Sequence, residues 1–196
     1  MQNLGKAIKI LSEGGIVIFP TDTAFGIGCR IDNKSSIKRL FEIRKRPLNQ
    51  ATPVLVGSIN MAEKYLRSPL PNNVRHIMDK YWPGALTIIY MCKTIRVPPL
   101  VRGGGKNLGV RMPNHKKTLD IIKRVGVPIL GPSANFHGQT TPYKSDQIDH
   151  KLMSLVDYVL KGDCQLREVS TVIDCSVDPW KIIRQGAVKI NINNYQ

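Results

Sequence analysis

Ile16-Val17-Ile18-Phe19-Pro20-Thr21-Asp22-Thr23-Ala24-Phe25-Gly26-Ile27-Gly28 is the stretch that decides the fold. Four apolar residues, three of them β-branched, end at a proline, which is the pattern of a short buried strand. The next residues, 20–28, read as a polar loop with two glycines. In open α/β sheets ligands sit in the crevice at the carboxyl ends of strands. Two threonine hydroxyls, a carboxylate and two glycines in that place suit a small polar ligand. An ordinary turn stabilised by Thr and Asp fits the same residues.

Before this strand, Leu4, Ala7, Ile8 and Leu11 follow helical spacing, and Gly14-Gly15 ends the run. After it, Ile37, Leu40 and Phe41 start a second helical stripe whose next position is Arg44, a cation where an apolar residue is expected. Pro53–Val56 reads as a strand. Asn60-x-x-Glu63 resembles a capping box. Val74, Ile77, Met78 and Tyr81 mark a helix stopped by Pro83-Gly84. Strands are expected at 85–91, 108–112, 127–130, 155–160, 171–174 and 181–184, with helices near 115–125 and 146–155. Helices and strands mix without strict βαβ alternation. The expectation is one α/β domain over residues 1–196, with a twisted sheet of parallel and antiparallel strands flanked by helices.

The chain has 196 residues, 42% hydrophobic and 22% charged, so wholesale disorder and fibrous classes are excluded. No apolar run reaches the ~18–20 residues of a membrane span, and Met1–Lys6 lacks a secretory apolar core; a cytoplasmic protein with no membrane partner is expected. Cys29, Cys92, Cys164 and Cys175 show no CxxC spacing, and His76, His115, His137 and His150 no HxxxH or HxH spacing. No metal site is therefore expected. There is no GxSxG for a triad hydrolase.

Charge is the outlier: 29 Lys and Arg against 14 Asp and Glu give +15. Residues 30–50 hold seven basic and two acidic side chains, and residues 93–124 nine and one. Such a field attracts polyanions, nucleotides or nucleic acid among them, although a merely solvated basic surface has the same composition. No aromatics interleave these windows as a single-strand stacking platform needs.

Three further stretches carry candidate chemistry. Arg44-Lys45-Arg46-Pro47 closes a helix, where cations compensate the dipole or clamp phosphate with planar forks. Gly131-Pro132-Ser133-Ala134-Asn135-Phe136-His137-Gly138-Gln139-Thr140-Thr141 follows a strand with the hydroxyls, amide and turn residues of an anion-binding loop. Arg111 inside Val110-Arg111-Met112-Pro113 is either a solvent-facing edge position or a partner for a carboxylate in a crevice. Gly103-Gly104-Gly105-Lys106 fails the Walker pattern, with Leu100 at the first glycine and Asn107 after the lysine. It reads as a mobile surface loop or a flap over a ligand.

In this order the stretches resemble the YrdC/TsaC family, the threonylcarbamoyl-AMP synthases, whose pattern runs PTDTxYGLG, KxR, WPGPLT, VRxP, PSANxSG, STVxD, RxG. The chain offers 20–28, Arg44-Lys45-Arg46, Trp82-Pro83-Gly84-Ala85-Leu86-Thr87, 110–113, 132–138, Ser170-Thr171-Val172-Ile173-Asp174 and Arg184-Gln185-Gly186, a likeness covering about residues 7–188. It resembles the short form, without the extra C-terminal domain. The resemblance implies that L-threonine, bicarbonate and ATP give threonylcarbamoyl-AMP and pyrophosphate, for the t6A modification of tRNA by transfer proteins. It implies threonine contacts at Thr23, Arg111, Gly131 and Ser170. It implies ATP contacts at Arg44, Arg46, Gln50, Asn107, Ser133, Asn135, Thr141 and Arg184, with Arg44, Arg46, Ser133 and Asn135 in the catalytic set. Mg²⁺ is expected to arrive with ATP. The family Lys of KxR is Arg44 here, its Asn or Lys a few residues on is Gln50 with two extra residues following, its His after the next strand is Gly57, and a hydroxyl residue is Asn107. The competing expectation is a non-catalytic module of the same fold that binds tRNA or other structured RNA.

Overall fold

The opening strand forms as β1, Val17–Phe19, fully buried, in a computed structural model that describes residues 4–195. It pairs antiparallel with β2, Gly26–Gly28, and parallel with β7, Tyr158–Val159. β2 corrects the reading of 20–28 as loop throughout. Glycine has little strand propensity of its own, but tertiary packing requires it here: a Cβ on Gly28 would collide with the Leu130 carbonyl oxygen. The loop is only the half that precedes Gly26.

A second sheet has six strands: β3 (Val54–Leu55), β4 (Leu86–Met91), β5 (Asn107–Arg111), β6 (Ile129–Leu130), β8 (Thr171–Asp174) and β9 (Lys181–Arg184), in the spatial order β6-β3-β5-β4-β8-β9. β3 runs parallel to β5 and β4 to β8, while the β3–β6, β4–β5 and β8–β9 pairs are antiparallel. The mixed sheet expected from sequence is thus two hydrogen-bonded sheets, linked by isolated bridges Gly26–Ser133 and Arg30–Ile129.

Helices cover these sheets. α1 (Leu4–Ser12) buries Ala7, Ile8 and Leu11, and α5 (Lys116–Val125) buries Ile121, Ile122 and Val125. Together with Val17, Phe19, Leu55, Ile129 and Leu160 they form one core cluster. α2 (Lys34–Ile43), capped by Asn33, turns Ile37, Leu40 and Phe41 into the larger core. α4 (Asn72–Tyr81) adds Val74, Ile77 and Met78. Several boundaries differ from expectation: the strand expected at 155–160 is only Tyr158–Val159, with Leu155 closing the preceding helix, and that expected at 127–130 is only Ile129–Leu130. The cap of α3 (Ile59–Glu63) is Ser58, whose Oγ accepts the Met61 amide at 3.1 Å, rather than Asn60. The helix expected at 146–155 is a 3-10 turn, Ser145–Gln147, followed by α6, His150–Ser154, because Asp149 caps a new start by accepting the Lys151 and Leu152 amides. Cys29, Cys92, Cys164 and Cys175 are free and buried. Among the described residues no helix is long and apolar enough to cross a membrane.

The six-stranded sheet positions the site through its period of two. Leu86, Ile88, Leu108, Val110 and Ile173 enter the large core. The alternate residues, Thr87 and Ile89, Asn107, Gly109 and Arg111, Ser170 and Val172, face a cavity.

Candidate active site

That cavity has a volume of about 410 Å³, within the range typical of small-molecule sites. Six cations line it: Arg44, Arg46, Arg102, Lys106, Arg111 and Arg184. Among the described residues no carboxylate does, and of the six only Arg111 has a carboxylate partner, so a ligand entering it meets net positive charge.

One wall is the turn after β1. Thr21 Oγ accepts the Thr23 and Ala24 amides, each at 3.2 Å, and donates to the Ala24 carbonyl at 2.6 Å. This folds the Thr-Asp-Thr run onto itself and holds Thr23 Oγ 3.0 Å from Thr21 Oγ. Arg111, the last residue of β5, reaches this turn. Its Nη1 donates to Thr23 Oγ at 2.6 Å, its Nε to the Gly84 carbonyl at 2.9 Å, and its Nη2 to Asp22 Oδ1. The Asp22–Arg111 ion pair is buried on both sides. Burial pulls the guanidinium pKa down, opposed by Asp22 and reinforced by Arg184. The carboxylate partner expected of a strand arginine is therefore the protein's own Asp22, and Arg111 offers a ligand oriented N–H groups more than net charge.

The opposite wall comes from the end of α2. Lys45 takes a left-handed backbone, φ 52°, and the amide of Arg46 returns to the Phe41 carbonyl at 2.9 Å. The chain thus turns between two arginines that both line the cavity. Arg44 is only 3% exposed. It donates from Nε to the Asn135 carbonyl at 3.1 Å and from Nη2 toward Asn135 Oδ1 at 3.5 Å. Its buried Nη1 has no partner. Burial, and secondarily the charge of Arg46, pull its pKa from 12.5 to about 10. The helix-stripe position signalled this burial, but the anion that a buried cation calls for is not supplied by the protein. Arg46 donates from Nε to the Gln50 carbonyl at 3.2 Å and from Nη2 to that of Ala51. Burial lowers its pKa as well.

The loop after β6 closes the third side. The Ala134 amide donates to Phe25 O at 2.8 Å, and the Phe25 amide to Pro142 O at 3.0 Å, which pins 132–142 against the first turn. Ser133 Oγ donates to Asn135 Oδ1 at 2.5 Å, and Asn135 Nδ2 to the Gln139 carbonyl at 2.5 Å. The fourth side is β8 and β9, where Arg184 donates twice to the Ser170 carbonyl, at 3.0 and 2.9 Å, and Ser170 Oγ lies 2.9 Å from Thr87 Oγ.

Thr23, Arg44, Arg46, Asn107, Arg111, Gly131, Ser133, Thr141, Ser170 and Arg184 thus share one cavity. Gln50 and Asn135 do not line it. Gln50 contributes its carbonyl to hold Arg46, and Asn135 stands behind Ser133 and Arg44. Gly57 lies elsewhere, against α5. Sequence reasoning missed Thr52, Thr87, Arg102 and Lys106 in the lining. Thr52 has a buried hydroxyl without a partner. Thr87 lay within the quoted Trp-Pro-Gly motif. Among the described residues no group of three or more His, Cys, Asp or Glu side chains could hold a metal ion.

Comparison with known proteins bears on the family and the fold. The model of the Sua5_yciO_yrdC family, described as telomere recombination, matches residues 9–186. The chain is 32% identical over 186 residues to the threonylcarbamoyl-AMP synthase of Bacillus subtilis, which covers 94% of this chain and 54% of the relative. It is similar to the crystal structure of Pyrococcus abyssi Sua5 complexed with L-threonine, with a TM-score of 0.88 and 28% identity over 93% of this chain and 54% of that one. It is also similar to Escherichia coli YciO, with a TM-score of 0.86 and 25% identity over 96% and 91% of the two chains. The chain spans about half the length of the Bacillus and Pyrococcus relatives it matches. Both of these relatives carry an enzyme's name, threonylcarbamoyl-AMP synthase.

Proposed function

This chain belongs to the Sua5/YciO/YrdC family, and from that premise we propose that it is a threonylcarbamoyl-AMP synthase: L-threonine, bicarbonate and ATP give threonylcarbamoyl-AMP and pyrophosphate. The observation that carries the proposal is the single acid-free cavity in which Arg44, Arg46 and Arg184 converge with Thr23, Ser133 and Ser170. A relative of the same fold, named for its complex with L-threonine, supports the amino-acid half.

In this reading the threonine amine condenses with bicarbonate, losing water, to give a carbamate. A carbamate oxygen then bonds to the α-phosphorus of ATP as the bond to the β-phosphate oxygen breaks, and pyrophosphate leaves. No covalent nucleophile is needed from the protein. Its work is orientation and fixed positive charge where phosphate oxygens gain negative charge. Thr23, Gly131, Ser170 and the paired Arg111 orient threonine. Arg44 and Arg46 hold phosphate oxygens, Ser133 donates a hydroxyl, and Asn135 holds Arg44 and Ser133 in place. Thr141, Arg184 and Asn107 complete the nucleotide contacts. The lining supplies no carboxylate for Mg²⁺, so any magnesium enters as part of the nucleotide substrate. The product would pass to proteins that modify tRNA, in the cytoplasm.

The test is pyrophosphate release from protein, Mg-ATP, bicarbonate and threonine. Release that requires both threonine and bicarbonate is expected. Release indifferent to threonine overturns the proposal.

A further inference from the structure

The Gly-rich segment between β4 and β5 has no part in the mechanism above, yet Arg102, Gly105 and Lys106 line the same cavity. We propose that Arg102 and Lys106 form a second phosphate grip, which holds the outer two phosphates of the nucleotide and then the departing pyrophosphate. The inference rests on the synthase reading for the identity of the nucleotide.

The segment is built against the Arg46 loop, not free of it. The Thr52 amide donates to the Val101 carbonyl at 2.9 Å. Gly103 has φ 58°, and a Cβ there would lie 2.6 Å from the Ala51 amide nitrogen and 2.7 Å from the Asn49 carbonyl oxygen. Only glycine allows that backbone-to-backbone approach. At its far end, Lys106 O accepts the Cys92 amide at 2.9 Å. The two cations therefore stand on a wall shared with Arg46, whose guanidinium donates to carbonyls of the same 50–51 backbone.

The chemistry separates this grip from a phosphate-binding glycine loop. Lys106 leads into strand β5, not into a helix, so no helix N-terminus faces the ligand. The side chains must do the binding. Arg102 is held by its own loop, donating from Nε to Val97 O at 3.2 Å and from Nη1 to Gly104 O at 3.1 Å and to Gly105 O. Those bonds leave Nη2 of its fork uncommitted. Lys106 is exposed at the rim. Neither cation has a carboxylate partner among the described residues.

Charge balance assigns their ligand. Asp22 already offsets Arg111. Arg44, Arg46 and Arg184 remain in the cavity for a nucleoside triphosphate and a carbamate that also bears a carboxylate, which together carry more negative charge than three guanidinium groups offset. The nucleoside is neutral and gains nothing from two further cations, whereas the outer phosphates do. A rim position also suits a leaving group, because an exposed ammonium is screened by water and releases its anion.

Calorimetric titration of the intact chain with ATP, pyrophosphate and AMP tests the grip. Lys106→Ala removes an exposed side chain. It is expected to weaken ATP and pyrophosphate by about tenfold while AMP changes less than about twofold. Arg102→Lys, which keeps the charge but loses the fork to the loop carbonyls, is expected to weaken the same two ligands. Equal weakening of all three ligands, or none, overturns the grip. A wild-type chain that binds all three yet releases no threonine-dependent pyrophosphate overturns the synthase reading and leaves the grip standing. A wild-type chain that binds none of them overturns both.

Discussion

Replacing Arg44 by Met should stabilise the empty protein and at the same time remove most of its response to ATP. Arg44 is 3% exposed, has no carboxylate partner, and leaves Nη1 buried without an acceptor. The fall of its pKa from 12.5 to about 10 corresponds to about 3 kcal/mol against the charged form. Neutral pH lies below both values, so the folded state bears this whole penalty there, and it fades only as pH rises past 10. Met has similar reach and no charge. Its cost is the Asn135 carbonyl, which loses its Arg44 donor; an unsatisfied buried acceptor costs roughly 1–3 kcal/mol. The net gain is about 1 kcal/mol, or about 2–4 °C in Tm for a chain of this size. With ATP at about 100 times Kd, the wild type should gain about 2.7 kcal/mol, near 8 °C. Loss of a charged donor to phosphate weakens binding about thirtyfold, so at the same ATP concentration the variant should shift by only about 2 °C. Differential scanning calorimetry with and without ATP reads both quantities. A variant that melts more than about 6 °C below the wild type, or that keeps the full ATP shift, refutes the view of Arg44 as a buried cation waiting for a ligand anion.

The Asp22–Arg111 pair gives the opposite result on stability: Asp22→Asn leaves Arg111 buried and uncompensated, and urea unfolding should show a loss of about 3–5 kcal/mol. A loss below about 1 kcal/mol would mean that Arg111 finds other partners. His115, 7% exposed with Nδ1 3.2 Å from Thr118 Oγ, has its pKa pulled down by burial, with Asp22 opposing. The unfolded chain then takes up this proton first as pH falls. Stability should drop below about pH 6.5, by up to about 1.4 kcal/mol per pH unit, until the folded state protonates as well. His115→Asn should flatten the difference in urea midpoint between pH 7.5 and 5.5, and an equal slope in both proteins would clear His115 of the effect.

Local pattern alone determined a good deal of this protein. The helical stripes of α1, α2 and α4 and the alternation of β5 each bury one face, and the apolar run of β1 buries both; these patterns are written in adjacent residues. Thr23, Arg44, Arg46, Arg111 and Ser133 stood out in short polar stretches beside predicted elements, whereas Asn107, Ser170 and Arg184 were legible only through the family resemblance. Other features depend on which distant segments meet. Gly26–Gly28 pair with β1 as a strand, and the glycines are required because a Cβ would meet Phe19 at Gly26 and the Leu130 carbonyl at Gly28, which no propensity of glycine reveals. Gln50 was expected in the cavity, but its carbonyl is engaged by Arg46 and Thr52 lines the cavity instead. Arg111 meets Asp22 before it meets any ligand, and Gly103 seats two further cations on the Arg46 loop. Contacts between remote segments are fixed by shape and charge once the sheets have assembled. A linear reading contains the groups that make such contacts, but not the distances between them.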